Sequence, residues 1–301
     1  MEISENPPYK FTEKEAKTSA KLSRLGSDKN SLKVFEIFVE GDSDVHFYKR
    51  WLKKIKINTN GKVKIKVNTI VNSAFEVNGD GRRGTIIATA EVTKDDAFTM
   101  YVVDRDIWDV DMIGQYSCLE ALFFTDFPAI ESYGLMEPVF KEINHRRFDG
   151  DCKNIEDYYM YITRIIRMLY LVRLRFPKKM NIYRDFRSIL EIVIGSEVVK
   201  NNPPSESYNH MLNILQDKAP VEVKNSGILD DSSLPLDIRE HAYGHDIAPI
   251  VRSFISGQCF GSSLSNSNIE RALVNVYIDL EYYKKDNLFK DIQKYIEEIC
   301  E

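Results

Sequence analysis

Two groups of acidic residues stand about sixty residues apart, each directly after a strongly apolar run. The first is Glu40-Gly41-Asp42-Ser43-Asp44, which follows Phe35-Glu36-Ile37-Phe38-Val39. The second is Asp104-Arg105-Asp106, which follows Met100-Tyr101-Val102-Val103. Runs rich in β-branched and aromatic residues read as buried strands. Carboxylates just past the carboxyl ends of such strands lie where open α/β sheets place their ligand crevice. Acids gathered there repel one another unless a divalent cation neutralises them, and an all-oxygen donor set suits Mg²⁺ or Mn²⁺. The chemistry this favours is metal-assisted phosphoryl transfer, with one or two ions stabilising the attacking and leaving oxygens. Glu40, Asp44, Asp104 and Asp106 are therefore the candidate metal ligands. Glu40 is also placed to take a proton from the attacking nucleophile. Asp104 and Asp106 are expected to alternate like strand residues and share a face. The plain alternative is that all four acids are helix caps and turn formers.

Several other residues carry possible chemistry. Glu131, in Ile130-Glu131-Ser132-Tyr133, opens a helix and is a further catalytic candidate; its alternative is an acid in the first turn of a helix. The run Gly79-Asp80-Gly81-Arg82-Arg83-Gly84 formally matches a dinucleotide-binding fingerprint. That fingerprint normally occupies the first strand-to-helix turn, and here it occupies the second. The adjacent Arg82 and Arg83 look more like contacts to the phosphates of a polymer. His241 and His245 have helical spacing, but no Glu follows His241 and Gly244 weakens a helix there. His245 reads as a structural or substrate-contacting residue rather than a metal ligand.

The elements that must position these groups form a βαβαβ pattern. Strands are expected over residues 34–39, 63–71 and 97–103, with a further apolar segment at 119–124. Asp42 or Ser43 is expected to cap the helix after the first strand. The connections are long enough for parallel crossovers. Beyond residue 150 six helices are expected, over 155–176, 182–194, 208–215, 236–255, 268–283 and 287–299. Ser267 with Glu270 is a candidate capping box for the fifth of these. The division expected from this change of character is a tail over 1–30, an α/β domain over 31–150 and a helical region over 151–301.

Composition sets the outer bounds. The chain has 301 residues, 43% of them apolar, which suffices for one large core or two modest ones. A net charge of -5 does not advertise nucleic-acid binding for the molecule as a whole. Charge is unevenly spread, however: Arg164, Arg167, Arg173, Arg175, Lys178, Lys179, Arg184 and Arg187 face a single acid, Asp185. The aromatics among them, Tyr170, Phe176, Tyr183 and Phe186, are favoured as core rather than as base-stacking platforms. Cys118, Cys152, Cys259 and Cys300 are far apart and form neither a zinc pattern nor a disulfide framework. A reducing, cytoplasmic setting is expected, with no secretory signal and no membrane span.

The sequence Phe38-Val39-Glu40-Gly41-Asp42-Ser43-Asp44, with Val102-Val103-Asp104-Arg105-Asp106, resembles the Toprim domain. This is the Mg²⁺-binding fold of topoisomerases, primases, small ribonucleases and OLD-type nucleases. The family pattern of one Glu after the first strand and Asp-x-Asp after the third carries over to Glu40, Asp104 and Asp106. The Glu-x-x-x-Asp form, Glu40 with Asp44, is more like the OLD-type nucleases. Ile130-Glu131-Ser132-Tyr133 and Gly244-His245-Asp246 extend the resemblance to Toprim proteins of bacterial defence islands, a group that includes the effector of the PARIS anti-phage system. The fold this implies is a mostly parallel sheet flanked by helices, followed by a helical C-terminal region. The function it implies is a toxic Mg²⁺-dependent endonuclease, with host tRNA the favoured target, DNA nicking the alternative, and an inert partner-binding module the third possibility. The partners it implies are an ABC-type ATPase and a second copy of the chain in a homodimer.

Overall fold

The first apolar run pairs on both sides, and that decides where everything after it must go. A computed structural model describes residues 33–57, 63–72, 80–108, 110–148, 150, 155–195, 203–230, 237–258 and 264–300. The expected tail over 1–30 and two of the cysteines, Cys152 and Cys259, lie outside the described residues. The chain divides into two units. The described residues of the first are drawn from 33–104, 110–125 and 286–300, and those of the second from 105–108 and 126–285.

The first unit is built on β1 (Lys33–Val39), β2 (Val63–Thr69), β3 (Thr99–Val103) and β4 (Leu122–Phe124). All pairs are parallel and the order is β2-β1-β3-β4. Ile37 lies opposite Val67 on one side and Met100 on the other. β1 and β3 are buried on both faces, which is why they read as continuous apolar runs rather than as alternation. The crossovers are α1 (Asp42–Lys54) and α2 (Gly81–Val92), with the short α3 (Val110–Gly114) between β3 and β4. The expected α/β class with a parallel sheet flanked by helices is therefore observed.

One sheet face is aromatic. Phe47 and Trp51 of α1 pack on Phe289, and Tyr295 sits edge-on to Phe35 of β1 and Phe123 of β4. Phe289 and Tyr295 belong to the last helix, α12 (Asn287–Cys300). On the other face Phe38 stacks on Tyr101 at 5.5 Å, and the Tyr101 hydroxyl shares a 2.7 Å hydrogen bond with Thr93, just past α2. The expected assignment of 287–299 to a separate helical region is thus corrected. The apolar stripe of α12 belongs to the core of the first unit, because the sheet face beside α1 leaves room for large rings.

The second unit is helical. It holds α4 (Ile130–Tyr133), α5 (Glu137–Phe148), α6 (Ile155–Arg175), α7 (Met180–Ile194), α8 (Pro204–Lys218), α9 (Val221–Lys224), α10 (Gly244–Gln258) and α11 (Asn266–Asp279). The boundary falls at 125/126 rather than near residue 150, because α4 and α5 pack on α11 and α10. Gly134, just after α4, allows this approach: a Cβ there would come within 2.8 Å of the Leu273 backbone in α11. The helix expected over 236–255 is in two parts, a 3-10 turn (Ile238–His241) and α10. His241 and His245 therefore do not share a helix. Ser265, not Ser267, caps α11, its hydroxyl accepting from the Asn268 amide at 3.2 Å. Tyr170, Tyr183 and Phe186 of the basic stretch are buried, as expected for core. Among the described residues no helix is long and apolar enough to cross a membrane.

Phe289 is buried against Phe47 and Trp51. Phe289→Ala should lower the unfolding free energy by about 3–5 kcal/mol, read from urea denaturation. A change below about 1 kcal/mol would show that α12 is not part of that core.

Candidate functional site

The order β2-β1-β3-β4 sends the chain leaving β1 to one side and the chain leaving β3 to the other. The carboxyl ends of β1 and β3 thus flank the point where the connections diverge, and open α/β sheets form their ligand crevice there. Glu40 is the first residue after β1 and Asp104 the first after β3. The structure brings them together: the Asp104 backbone N–H donates to the Glu40 carboxylate at 3.1 Å.

The turn from β1 into α1 supplies the next acid. Gly41 is the residue before α1, in extended conformation, so neither Asp42 nor Ser43 is the cap that was expected. The Asp44 carboxylate instead reaches back and accepts from the Gly41 N–H at 2.8 Å. That bond turns Asp44 inward, whereas Asp42 and Ser43 are exposed. Burial pushes the Asp44 carboxyl from 3.8 up to about 7. The Gly41 hydrogen bond opposes this, the Glu40 charge adds to it, and the Arg82 charge offsets part of it.

The two arginines enter from the start of α2. Gly81 has a φ of +70°, a left-handed conformation that glycine tolerates without strain. It is followed by Arg82 and Arg83. Arg83 Nε stands 3.7 Å from Glu40 Oε1, an ion pair too long to be a hydrogen bond. Arg82 Nη1 lies 3.4 Å from where a Cβ on Gly41 would be, so its guanidinium rests against the turn between Glu40 and Asp44. Gly79, the first glycine of the fingerprint, lies outside the described residues. The arginines of that motif serve the acidic cluster.

The remaining candidates belong to the second unit. Asp106 does not continue the strand: β3 ends at Val103, and Asp106 has a φ of +53°. The expectation that Asp104 and Asp106 alternate on one strand face is therefore corrected. Aspartate tolerates this left-handed conformation better than most residues. The Asp106 N–H donates to Pro128 O at 2.9 Å, which ties it to the turn leading into α4. Glu131 is in the first turn of α4, half-buried, and its carboxylate packs on Gly244. A Cβ at 244 would overlap a Glu131 carboxylate oxygen and lie 2.7 Å from the Ala129 Cβ. Ser132 Oγ donates to Ala242 O at 2.6 Å, a buried bond that holds α4 to the same segment. His245 is exposed beside Tyr243.

The residue that sequence reasoning passed over in this motif is Asp246. It is fully buried. Its carboxylate receives the Tyr183 hydroxyl, Arg173 Nε at 3.2 Å and Arg187 Nη1 at 3.4 Å. The Arg173 guanidinium lies 3.7 Å from the centre of the Tyr183 ring and 3.9 Å from that of Tyr243. Burial, then the neighbouring Asp246 charge, pushes the Tyr183 hydroxyl well above its usual range. The available signal was an acid near the start of a helix in a chain with a basic stretch that needed partners. Gly244-His245-Asp246 thus makes room for Glu131 and anchors α10 to α6 and α7.

Whether a divalent cation suits the first unit turns on its donors. Glu40, Asp44 and Asp104 offer carboxylate oxygens only, which is the chemistry Mg²⁺ and Mn²⁺ prefer. Burial is the main cause of the rise at Asp44, and the Glu40 charge that adds to it is what such an ion would relieve. Among the described residues no group of three or more Asp, Glu, His or Cys is already converged on one point. The donor set fits the ion, and Arg83 engages one of its members. No protein-family model matches the chain, and no curated protein matches it either.

Two measurements follow from these environments. Asp44 holds its proton more tightly folded than unfolded, so between 3.8 and about 7 the folded state binds the extra proton. Stability therefore falls as pH rises through that window. In EDTA, Asp44→Asn should flatten this slope in melting temperature against pH; equal slopes would refute the buried, neutral Asp44. Asp246→Ala removes the carboxylate from Arg173, while Arg187 keeps Glu191 at 2.8 Å, and should cost about 3–5 kcal/mol in urea unfolding.

Proposed function

We propose that the protein is a Mg²⁺-dependent endonuclease of the Toprim type, related to the OLD-like nucleases, that cleaves a nucleic-acid backbone. The observation that carries this reading is the contact of Glu40 with the Asp104 amide at the divergence of β1 and β3, with Asp44 and two arginines beside it. Glu40, Asp44 and Asp104 are the residues that would hold the ion, and the resemblance of the Asp-x-Asp motif is what adds Asp106 to them. When bound, the cation supplies charge neutralisation for the phosphate under attack and acidifies a coordinated water. Arg82 and Arg83 orient the phosphodiester by charge-assisted hydrogen bonds, which read backbone and not base. Glu40 holds the proton released by the nucleophile. The resemblance of the Ile130-Glu131-Ser132-Tyr133 motif is what marks Glu131 as a second acid or base. His245, exposed beside Tyr243, contacts substrate.

The resemblance of the acidic motifs to defence-island Toprim proteins supports the narrower reading. In it the substrate is host tRNA, the active form is a homodimer in the cytoplasm, and an ABC-type ATPase restrains the effector until infection. That resemblance is what favours RNA over DNA.

Purified protein, Glu40→Ala and Asp104→Ala should be incubated with total tRNA and with supercoiled plasmid, in Mg²⁺ and in EDTA. The expected result is tRNA cleavage that EDTA abolishes and that either substitution lowers by at least about a hundredfold. Plasmid nicking with intact tRNA would move the protein to the DNA-directed nucleases. Undiminished cleavage by both variants would refute the site.

A further inference from the structure

Arg83 engages a carboxylate that a divalent cation at the proposed site would also use. Arg83 Nε is 3.7 Å from Glu40 Oε1, the oxygen that also accepts the Asp104 amide at 3.1 Å. The ion pair is largely shielded, with 18% and 20% of the two side chains exposed, so water screens it weakly. Arg82 rests against the Glu40–Asp44 turn from the same end of α2.

We propose that Arg83 gates Glu40, so that the polynucleotide phosphate and the divalent cation bind with positive coupling. In the free protein the Arg83 guanidinium holds the Glu40 carboxylate. A backbone phosphate draws that guanidinium to itself, because a bidentate guanidinium–phosphate pair is stronger than a 3.7 Å contact. Glu40 is then released to the cation. The coupling is reciprocal, so the cation also strengthens phosphate binding. Cleavage-competent charge is thereby assembled only on substrate. This inference rests on the proposed metal-dependent nuclease site and adds the order in which it is assembled.

The test measures Mn²⁺ affinity by electron paramagnetic resonance for wild type, Arg83→Gln and Arg83→Lys. Each is titrated alone and with a short phosphorothioate oligonucleotide, whose own Mn²⁺ uptake is subtracted. A methylphosphonate oligonucleotide, which lacks backbone charge, is the control, and thermal melts establish that the variants fold. Wild type should bind Mn²⁺ about five- to tenfold more tightly with the charged oligonucleotide and no more tightly with the uncharged one. Arg83→Gln alone should match the oligonucleotide-bound affinity of wild type and show no further gain. Arg83→Lys should keep the coupling. If Arg83→Gln leaves both affinity and coupling at wild-type values, or if wild type shows no coupling, the gate is refuted even where tRNA or plasmid is cleaved. Coupling that depends on Arg83 without cleavage of any nucleic acid would uphold the gate and refute the nuclease reading. Absence of Mn²⁺ binding under every condition would refute both.

Discussion

Parallel pairing of β1 with β3 is the constraint on which the site depends. β1 is paired on both sides, so its backbone groups are consumed and both faces must be covered. The next strand in sequence, β2, takes one side, and the one after it must cross over to the other. That reversal leaves the carboxyl ends of β1 and β3 adjacent with their connections leading apart. Glu40 and Asp104 are the residues at those ends, and the Asp104 amide, lying beyond the ladder, finds its acceptor in Glu40. A single hydrogen bond thereby joins two motifs that are 64 residues apart in the chain.

Electrostatics then explains why the surroundings look as they do. Packing carboxylates at the carboxyl ends of two neighbouring central strands is unfavourable, and the first unit answers in three ways. Asp44 is buried and raised until it holds a proton near neutrality. Glu40 is given an arginine and an amide. Arg82 lies against the turn between them. These contacts keep the acids compatible with folding while leaving oxygen donors suited to a cation and guanidiniums suited to a phosphate. Structural neutralisation and proposed catalysis draw on the same charges, and the Arg83–Glu40 ion pair is where the two meet.

The second unit shows the same economy in its own motif. Gly244 is small so that Glu131 can lie against it, and Asp246 is buried so that Arg173, Arg187 and Tyr183 can close on it. A buried acid with two arginines is poor evidence of net stabilisation, but it is intolerant of losing one partner. Three elements, α6, α7 and α10, meet at this one carboxylate. His245, between these two residues and pointing outward, is free of that duty.

By itself the sequence determined the α/β class, the four strands to within a few residues, and the acids that terminate β1 and β3. It could do so because buried parallel strands are continuous apolar runs, and such runs are local signals. It also marked most of the helices, although the last was assigned to the wrong core and the one over 236–255 broke in two. Only the tertiary structure decided that Arg83 pairs with Glu40, that Asp44 turns inward while Asp42 does not, that Asp106 leaves the strand direction, and that Asp246 anchors three helices. Each of these depends on charges or rings that meet across long stretches of chain. A periodicity records which face of an element is buried; it does not record what that face is buried against.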